Sequence, residues 1–280
     1  MPRQKTFVIV GLGLIGGSLA ASIRKQFKSA KVIGVSRTPR HIAFAKKKKF
    51  IHSGTADLKT ALLEADFVVI CTPVDTIPKF IQIIERYAKP GTVVMDVGST
   101  KSAIVHSAAR KHFRRILFIG SHPLAGSHLT GVEHARSDLF EGAHVFITPV
   151  RHSNPKALRS VKNFWRKLNS KVHVVSPETH DQIVSEISHL PHAAAVALMH
   201  SVSNASLRFA ASGFLDTTRI AEGDPNLWVP IFLTNRSRLI SGLQSFKAAL
   251  NTLEALLKKG SATKITRFLR HASLKRLKLS

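Results

Sequence analysis

The chain has 280 residues, 44% of them hydrophobic, enough to build one large domain or two ordinary ones around a sizeable core. Lys and Arg number 42 against 16 Asp and Glu, a formal net charge of +26, so the partners it favours are anionic: nucleic acid, an acidic membrane or a small acidic substrate. The single cysteine, Cys71, excludes an intrachain disulfide, fits a reducing cytoplasm, and in its apolar run reads as core rather than nucleophile.

The N-terminus has the outline of a signal peptide, MPRQK before the uncharged residues 7–23. The run is short and glycine-rich for a membrane span, and its glycine spacing gives a better account. Thr6–Val10 is an apolar strand, followed by Gly11-x-Gly13-x-x-Gly16 and a helical pattern from Leu14. A strand over 31–35 and a basic helical segment over 39–50 follow. Residues 65–72 (ADFVVICT) form a buried strand, 77–87 a helix, 91–97 a strand and 101–112 a helix. Strands over 116–121, 143–148 and 171–175 complete the set. Apolar strands alternating with helices predict an α/β fold, a doubly wound, mostly parallel Rossmann-type sheet. Right-handed crossovers place the carboxyl ends of the strands along one edge, where ligands bind.

The pattern changes at 175. SPETHD starts a helix, with Ser176 as N-cap and Pro177 at the first helical position. Ile183, Ile187, Leu190, Ala194 and Leu198 fall on one helical face, residues 239–257 make a second amphipathic stretch, and no strand is evident. The predicted division is a dinucleotide-binding domain, 1–175, and an all-helical substrate and dimerisation domain, 176–280. No other stretch reads as transmembrane. The densest basic runs, 46–49 and 264–278, lack the interleaved aromatics of a stacking platform, which disfavours nucleic acid as the partner.

A GxGxxG alone is a weak signal; after a strand and opening a helix it is a dinucleotide fingerprint. Gly11 permits the tight turn, Gly13 lets a pyrophosphate approach the backbone, and Gly16 lets helix and strand pack closely. Leu14 and Ile15 complete that loop. NAD would call for an acid at the end of the second strand. This chain has Ser36, Arg37 and Arg40 there, which suit a 2′-phosphate and favour NADP over NAD. The competing reading is that Arg37 and Arg40 are two among many basic residues.

Two stretches fall at strand ends: DVGSTK, with Ser99, and GSHPLAGSH, with His122 and His128. Ser99 is either a helix N-cap or a donor to substrate. His122, near neutrality in its ordinary pKa, suits a proton acceptor. In SHLPH, His189 and His192 lie three apart on one helix face, and Pro191 should kink that helix or leave the Ile187 carbonyl free. His-x-x-His without a third ligand argues against a metal; a pair lining an anion pocket fits better. Arg219 offers a fork for a carboxylate, against the simpler reading of a salt bridge to Asp216 or Glu222.

GLGLIGGSLA, VICTPV, DVGSTK, SHPLAG, HDQIVSEISHLPHA and GFLDTTRIAEGDPNLW occur in this order, and together they resemble the prephenate dehydrogenase family, which includes arogenate and cyclohexadienyl dehydrogenases. The resemblance spans nearly the whole chain and leaves out the C-terminal regulatory domain of some members. It implies a cytoplasmic enzyme of tyrosine biosynthesis that oxidatively decarboxylates prephenate or arogenate with NAD(P), and a homodimer built through the helical half. It implies that His122 takes the proton of the ring hydroxyl and that Ser99 bonds the same hydroxyl and orients His122. Arg219 would bind a substrate carboxylate, His189 and His192 would line the pocket, and Thr72 and Pro73 would join the cofactor site. Two departures stand out: His128 falls where members often carry an acidic or small polar residue, and Val229-Pro230 after Trp228 replaces an expected acidic residue. The rivals are a β-hydroxyacid or imine-type reductase, which would rely on a lysine or aspartate in the helical half, and a basic binding protein on a degenerate scaffold.

Overall fold

The structure is a computed structural model that describes residues 4–111, 113–126 and 129–279. By packing the chain forms two compact units, Met1–Asn235 and Arg236–Ser280. The first is built on an eight-stranded sheet of order β3-β2-β1-β4-β5-β6-β7-β8. Its strands are β1 Thr6–Val10, β2 Lys31–Val35, β3 Ser53–Thr55, β4 Phe67–Ile70, β5 Thr92–Asp96, β6 Ile116–Pro123, β7 His144–Thr148 and β8 Lys171–Val174. All neighbours pair in parallel except β6 and β7, which run antiparallel. β3 is an edge strand of three residues, SGT, too short to show as a pattern in the sequence.

The central strands are buried on both faces, as their unbroken apolar runs require. One face packs on α1 (Leu14–Gln26) and α6 (Pro155–Lys167), with Phe7, Phe67, Phe164 and Trp165 at the centre. The other packs on α3 (Leu58–Leu62), α4 (Ile77–Tyr87) and α5 (Ser102–Ala109). A further helix, α2 (Pro39–Lys47), connects β2 to β3. Parallel register aligns Val10, Ile70 and Asp96, and aligns Met95 with Ile119. The segments that follow Val10, Ile70 and Asp96 therefore leave the sheet along one edge, and β6 runs on past that edge beyond Ile119.

From 176 to 235 the first unit is helical: α7 (Pro177–Val184), a π-turn (Ser185–His189), α8 (Leu190–Ser201), α9 (Asn204–Leu207), α10 (Ser212–Thr218) and α11 (Pro225–Thr234). Pro191 accounts for the π-turn, because it has no N–H for the Ile187 carbonyl and its ring would collide with it; widening the preceding turn removes the clash. The widened turn also changes which face is buried. The predicted apolar row meets the core only in part: Ile187 is 60% exposed and Ile183, Leu190, Ala194 and Leu198 are half-buried, while Val184, Ser185, His189, His192 and Ala195 are buried. The second unit is the helix pair α12 (Arg236–Lys258) and α13 (Ala262–Leu277). Leu250, Leu257, Leu269 and Leu274 on it are each half exposed or more. Among the described residues no helix is long and apolar enough to cross a membrane.

Candidate active site

At the sheet edge, Gly11 has φ +99°, and a Cβ there would lie 2.8 Å from the Cys71 carbonyl oxygen. A Cβ on Gly16 would lie 1.8 Å from the Gly11 oxygen, so the crossing of β1 and α1 admits no side chain. Gly13 differs: a Cβ would meet nothing within 4 Å, so the space in front of its backbone is open. Gly13 is also the N-cap of α1, with no side-chain cap bond and no acid in the first turn. By contrast α6 and α7 are capped by Asn154 and Ser176. Uncapped N–H groups facing open space suit a phosphate, and Leu14 and Ile15 begin the helix that presents them. Thr72 and Pro73 follow β4 at the same edge, with Thr72 Cγ2 against Gly11. Ser36, Arg37 and Arg40 follow β2; the two arginines are exposed, without an ion pair among the described residues.

The sequence places His122 in a turn beyond a strand, but β6 continues through it. Gly120, Ser121, His122 and Pro123 pair with Thr148, Ile147, Phe146 and Val145 of β7. Alternation along the strand sends Ser121 and His122 to opposite faces. The Ser121 hydroxyl donates to the Asp96 carbonyl (2.7 Å) and accepts from Trp165 Nε1 (3.3 Å) on the α6 side. His122 turns to the α7 side, where its Nδ1 lies 2.9 Å from His180 Nε2. His180 Nδ1 in turn lies 2.8 Å from Asp181 Oδ1. Asp181 also accepts from the backbone N–H of Lys101 (2.7 Å) and of Ser102 (2.9 Å). Burial alone would raise the Asp181 carboxyl; these donors outweigh it and hold the pKa at about 2. Burial pushes His122 well below its usual value, and His180, Lys101 and His189 push the same way. His122 is therefore neutral and half-buried. Ser99, the predicted orienter, makes no bond to His122 among the described contacts; His180 holds that ring. Nor does Ser99 cap α5, whose N-cap is Lys101.

Lys101, in the same bend, does not face solvent. It is fully buried and paired with Asp96, whose carboxylate takes the Gly98 N–H as well (2.9 Å). Burial lowers the Lys101 ammonium and Asp96 opposes it. The pair fixes the DVGSTK bend that carries Ser99, and Thr100 is tied to Thr234 of α11 (2.9 Å).

His189 and His192 are both buried. Asn235 Nδ2 donates to the Asp181 carbonyl (2.8 Å), which fixes the amide's orientation, and reaches His189 Nδ1 at 3.2 Å. His189 Nδ1 is thus an acceptor, and its proton sits on Nε2 as a donor. Burial lowers its pKa to about 4. His192 stacks on Trp228, and its Nδ1 is buried without a partner. Arg219, in a 3₁₀ turn after α10, is exposed and makes no ion pair among the described residues, so neither Asp216 nor Glu222 holds it. His128 lies outside the described residues. The sequence reading missed His180, Asp181 and Asn235; the His-Asp pair in HDQIV, one turn into a helix packed opposite β6, was the available signal.

The family model described as prephenate dehydrogenase, nucleotide-binding domain, matches residues 19–174, and the one described as prephenate dehydrogenase, dimerization domain, matches 176–271. Prephenate dehydrogenase of Bacillus subtilis (strain 168) is 32% identical over 279 residues, covering 96% of this chain and 74% of that protein. Among solved structures, prephenate dehydrogenase from A. aeolicus in complex with hydroxyphenyl propionate and NAD+ is similar with a TM-score of 0.92 at 31% identity, covering 99% of each chain. Synechocystis arogenate dehydrogenase is similar with a TM-score of 0.84 at 30% identity, covering 98% of this chain and 100% of that one.

Proposed function

The chain belongs to the prephenate dehydrogenase family, and from that premise we infer that it oxidatively decarboxylates prephenate or arogenate in tyrosine biosynthesis, with hydride passing to NAD(P). The observation that carries the reading is His122: a neutral imidazole on β6 beyond the dinucleotide-binding edge, with Nε2 free of any protein partner among the described residues. Hydride departure builds positive character on the hydroxyl-bearing ring carbon, so the O–H must lose its proton, and a neutral imidazole takes it near pH 7. Carbon dioxide then leaves and the ring becomes aromatic.

His122 is the base, and Ser99 donates to or accepts from the same hydroxyl. Arg219 binds a substrate carboxylate through its two-pronged fork. His189 Nε2–H and His192 line the pocket, His192 toward the substrate side chain. Gly11, Gly13, Leu14, Ile15 and Gly16 hold the pyrophosphate, and Thr72 and Pro73 border it; the open space before Gly13 and the uncapped helix fit that group. When bound, the oxidised nicotinamide supplies the hydride acceptor. Ser36, Arg37 and Arg40 favour NADP over NAD, supported by the absence of an acid at the end of β2. The net charge of +26 favours capture of a dianionic substrate.

The functional division is a cofactor domain, 1–175, and a helical substrate and dimerisation domain, 176–280, supported by family models that meet at this point. The chain works as a homodimer in the cytoplasm, in keeping with the half-exposed leucines of α12 and α13 and the lone cysteine. The test is reduced-nicotinamide absorbance with prephenate and arogenate, each offered with NADP and with NAD. Turnover in one mixture establishes the reaction and its substrate and cofactor; silence in all four from folded protein overturns it. His122→Asn should lower kcat by roughly 10²–10⁴-fold and leave cofactor binding unchanged.

A further inference from the structure

His122 does not stand alone. Its Nδ1 is bonded to His180, His180 is bonded to Asp181, and Asp181 is clamped by two backbone N–H groups. The tautomers follow from the far end. A carboxylate that accepts from Lys101 N–H, Ser102 N–H and a ring nitrogen is ionised and has no proton to give, so the proton in the His180–Asp181 bond belongs to His180 Nδ1. His180 is fully buried, and burial favours its neutral form, so its Nε2 is bare. The proton in the His122–His180 bond must then sit on His122 Nδ1. That leaves His122 Nε2 as the lone pair toward substrate.

Resting on the reading of His122 as the base, we propose that His180 is a positioning residue that locks His122 in its Nδ1–H tautomer and shares the proton taken from substrate. The step balances. The substrate O–H bond breaks and a bond forms from that proton to His122 Nε2. His122 Nδ1–H passes its proton to His180 Nε2, and His180 Nδ1–H stays on Asp181. The positive charge ends on an imidazolium paired with a carboxylate, rather than on His122. The same proton returns by the reverse path and leaves to water after turnover.

The surroundings make such a sink necessary. The Lys101 ammonium, reaching in from the β5–α5 connection, opposes positive charge on either ring, and its own charge is balanced by Asp96. His189, on the π-turn, disfavours it also. Phe146 of β7 packs edge-on against His180, 5.4 Å between centroids, and offers no polar group. Asp181 is the one carboxylate bonded to either imidazole among the described residues. A base held in one tautomer by a third group is the arrangement that makes an imidazole an efficient proton acceptor.

The first test needs no turnover. Long-range 1H–15N correlation on the ¹⁵N-histidine-labelled full chain, without cofactor or substrate, reads which ring nitrogen carries hydrogen; His122→Asn and His180→Gln assign the two signals. Both residues should show Nδ1–H, and an Nε2–H signal for His122 overturns the proposal. The second test is the His180→Gln enzyme, whose amide oxygen still accepts from His122 but cannot take a proton. The expected result is a fall in kcat of roughly 10²-fold with unchanged KM and unchanged nicotinamide affinity. The acid limb of the kcat profile should move to lower pH, because the base has lost its anionic partner. An unchanged kcat and limb in folded enzyme overturns the relay. A wild-type chain inactive on both substrates would overturn the reaction while leaving the tautomer result intact.

Discussion

His192 lies flat on Trp228, with ring centroids 3.6 Å apart and planes 9° from parallel. Gly223 backs the stack: a Cβ there would lie 2.4 Å from Trp228 Nε1 and 2.8 Å from His192 Cε1. One methyl group therefore has to displace two rings. Gly223→Ala should cost about 1–3 kcal/mol of stability, as overpacking does, and raise the KM for substrate more than it lowers kcat. A variant with wild-type melting temperature and KM would show that the stack yields freely.

Two of the fingerprint glycines, Gly16 and Gly13, should separate by assay. Gly16→Ala places a Cβ 1.8 Å from a backbone oxygen and should lower the melting temperature and abolish dinucleotide binding together. Gly13→Ala meets no protein atom and should leave the melting temperature unchanged while weakening dinucleotide affinity at least tenfold. Thermal melts with and without cofactor distinguish the two; equal loss of stability in both would remove the assignment of Gly13's open face to the phosphates.

Acid stability should follow His189. Its pKa is about 4 in the folded chain, below the unfolded value near 6.5. Between these values the unfolded chain binds a proton that the native chain refuses, so stability is present in full above about pH 6.5 and is lost as pH falls toward about 4. The loss attributable to this residue is about 3 kcal/mol. His189→Asn, which keeps an acceptor for Asn235, should flatten that part of a denaturation-midpoint profile. A slope unchanged by the substitution would assign it to other groups.

Arg219 is exposed and without an ion pair among the described residues, so its charge holds no described partner in the fold. Arg219→Ala should leave the melting temperature unchanged and raise KM for the substrate by roughly 10–10²-fold, the worth of a bidentate carboxylate bond. Arg219→Lys should recover little, because an ammonium cannot match the fork. A melting temperature that drops with either variant would point to a structural role instead.

Arg37→Asp should move cofactor preference toward NAD, since an acid after β2 accepts from the ribose 2′-OH and repels a 2′-phosphate. The ratio of kcat/KM for the two dinucleotides measures it. An unchanged ratio would mean that Arg37 and Arg40 belong to the general basic surface.

Local pattern was enough for seven of the eight strands and for the dinucleotide loop, while the three-residue β3 and the helices α3 and α6 did not show in it. Buried parallel strands need unbroken apolar runs, and the β1–α1 crossing needs glycine at Gly11 and Gly16 whatever else the chain does. The caps at Ser176 and Asn154 are likewise written locally, because each bonds within its own helix. What local pattern could not supply was pairing across distance. His122 belongs to a strand because β7 returns antiparallel to extend β6, and only that partner decides where β6 ends. Lys101 is a buried counter-ion because Asp96 lies beneath the bend, a pairing that the local sequence does not announce. The π-turn before Pro191 rotates α8, burying histidines where a regular helix would bury Ile187. His180 is 58 residues from His122, and nothing near either one names the other. Residue type set what each group can do, and the tertiary fold alone chose its partner, because a hydrogen bond depends on ångströms and not on sequence separation.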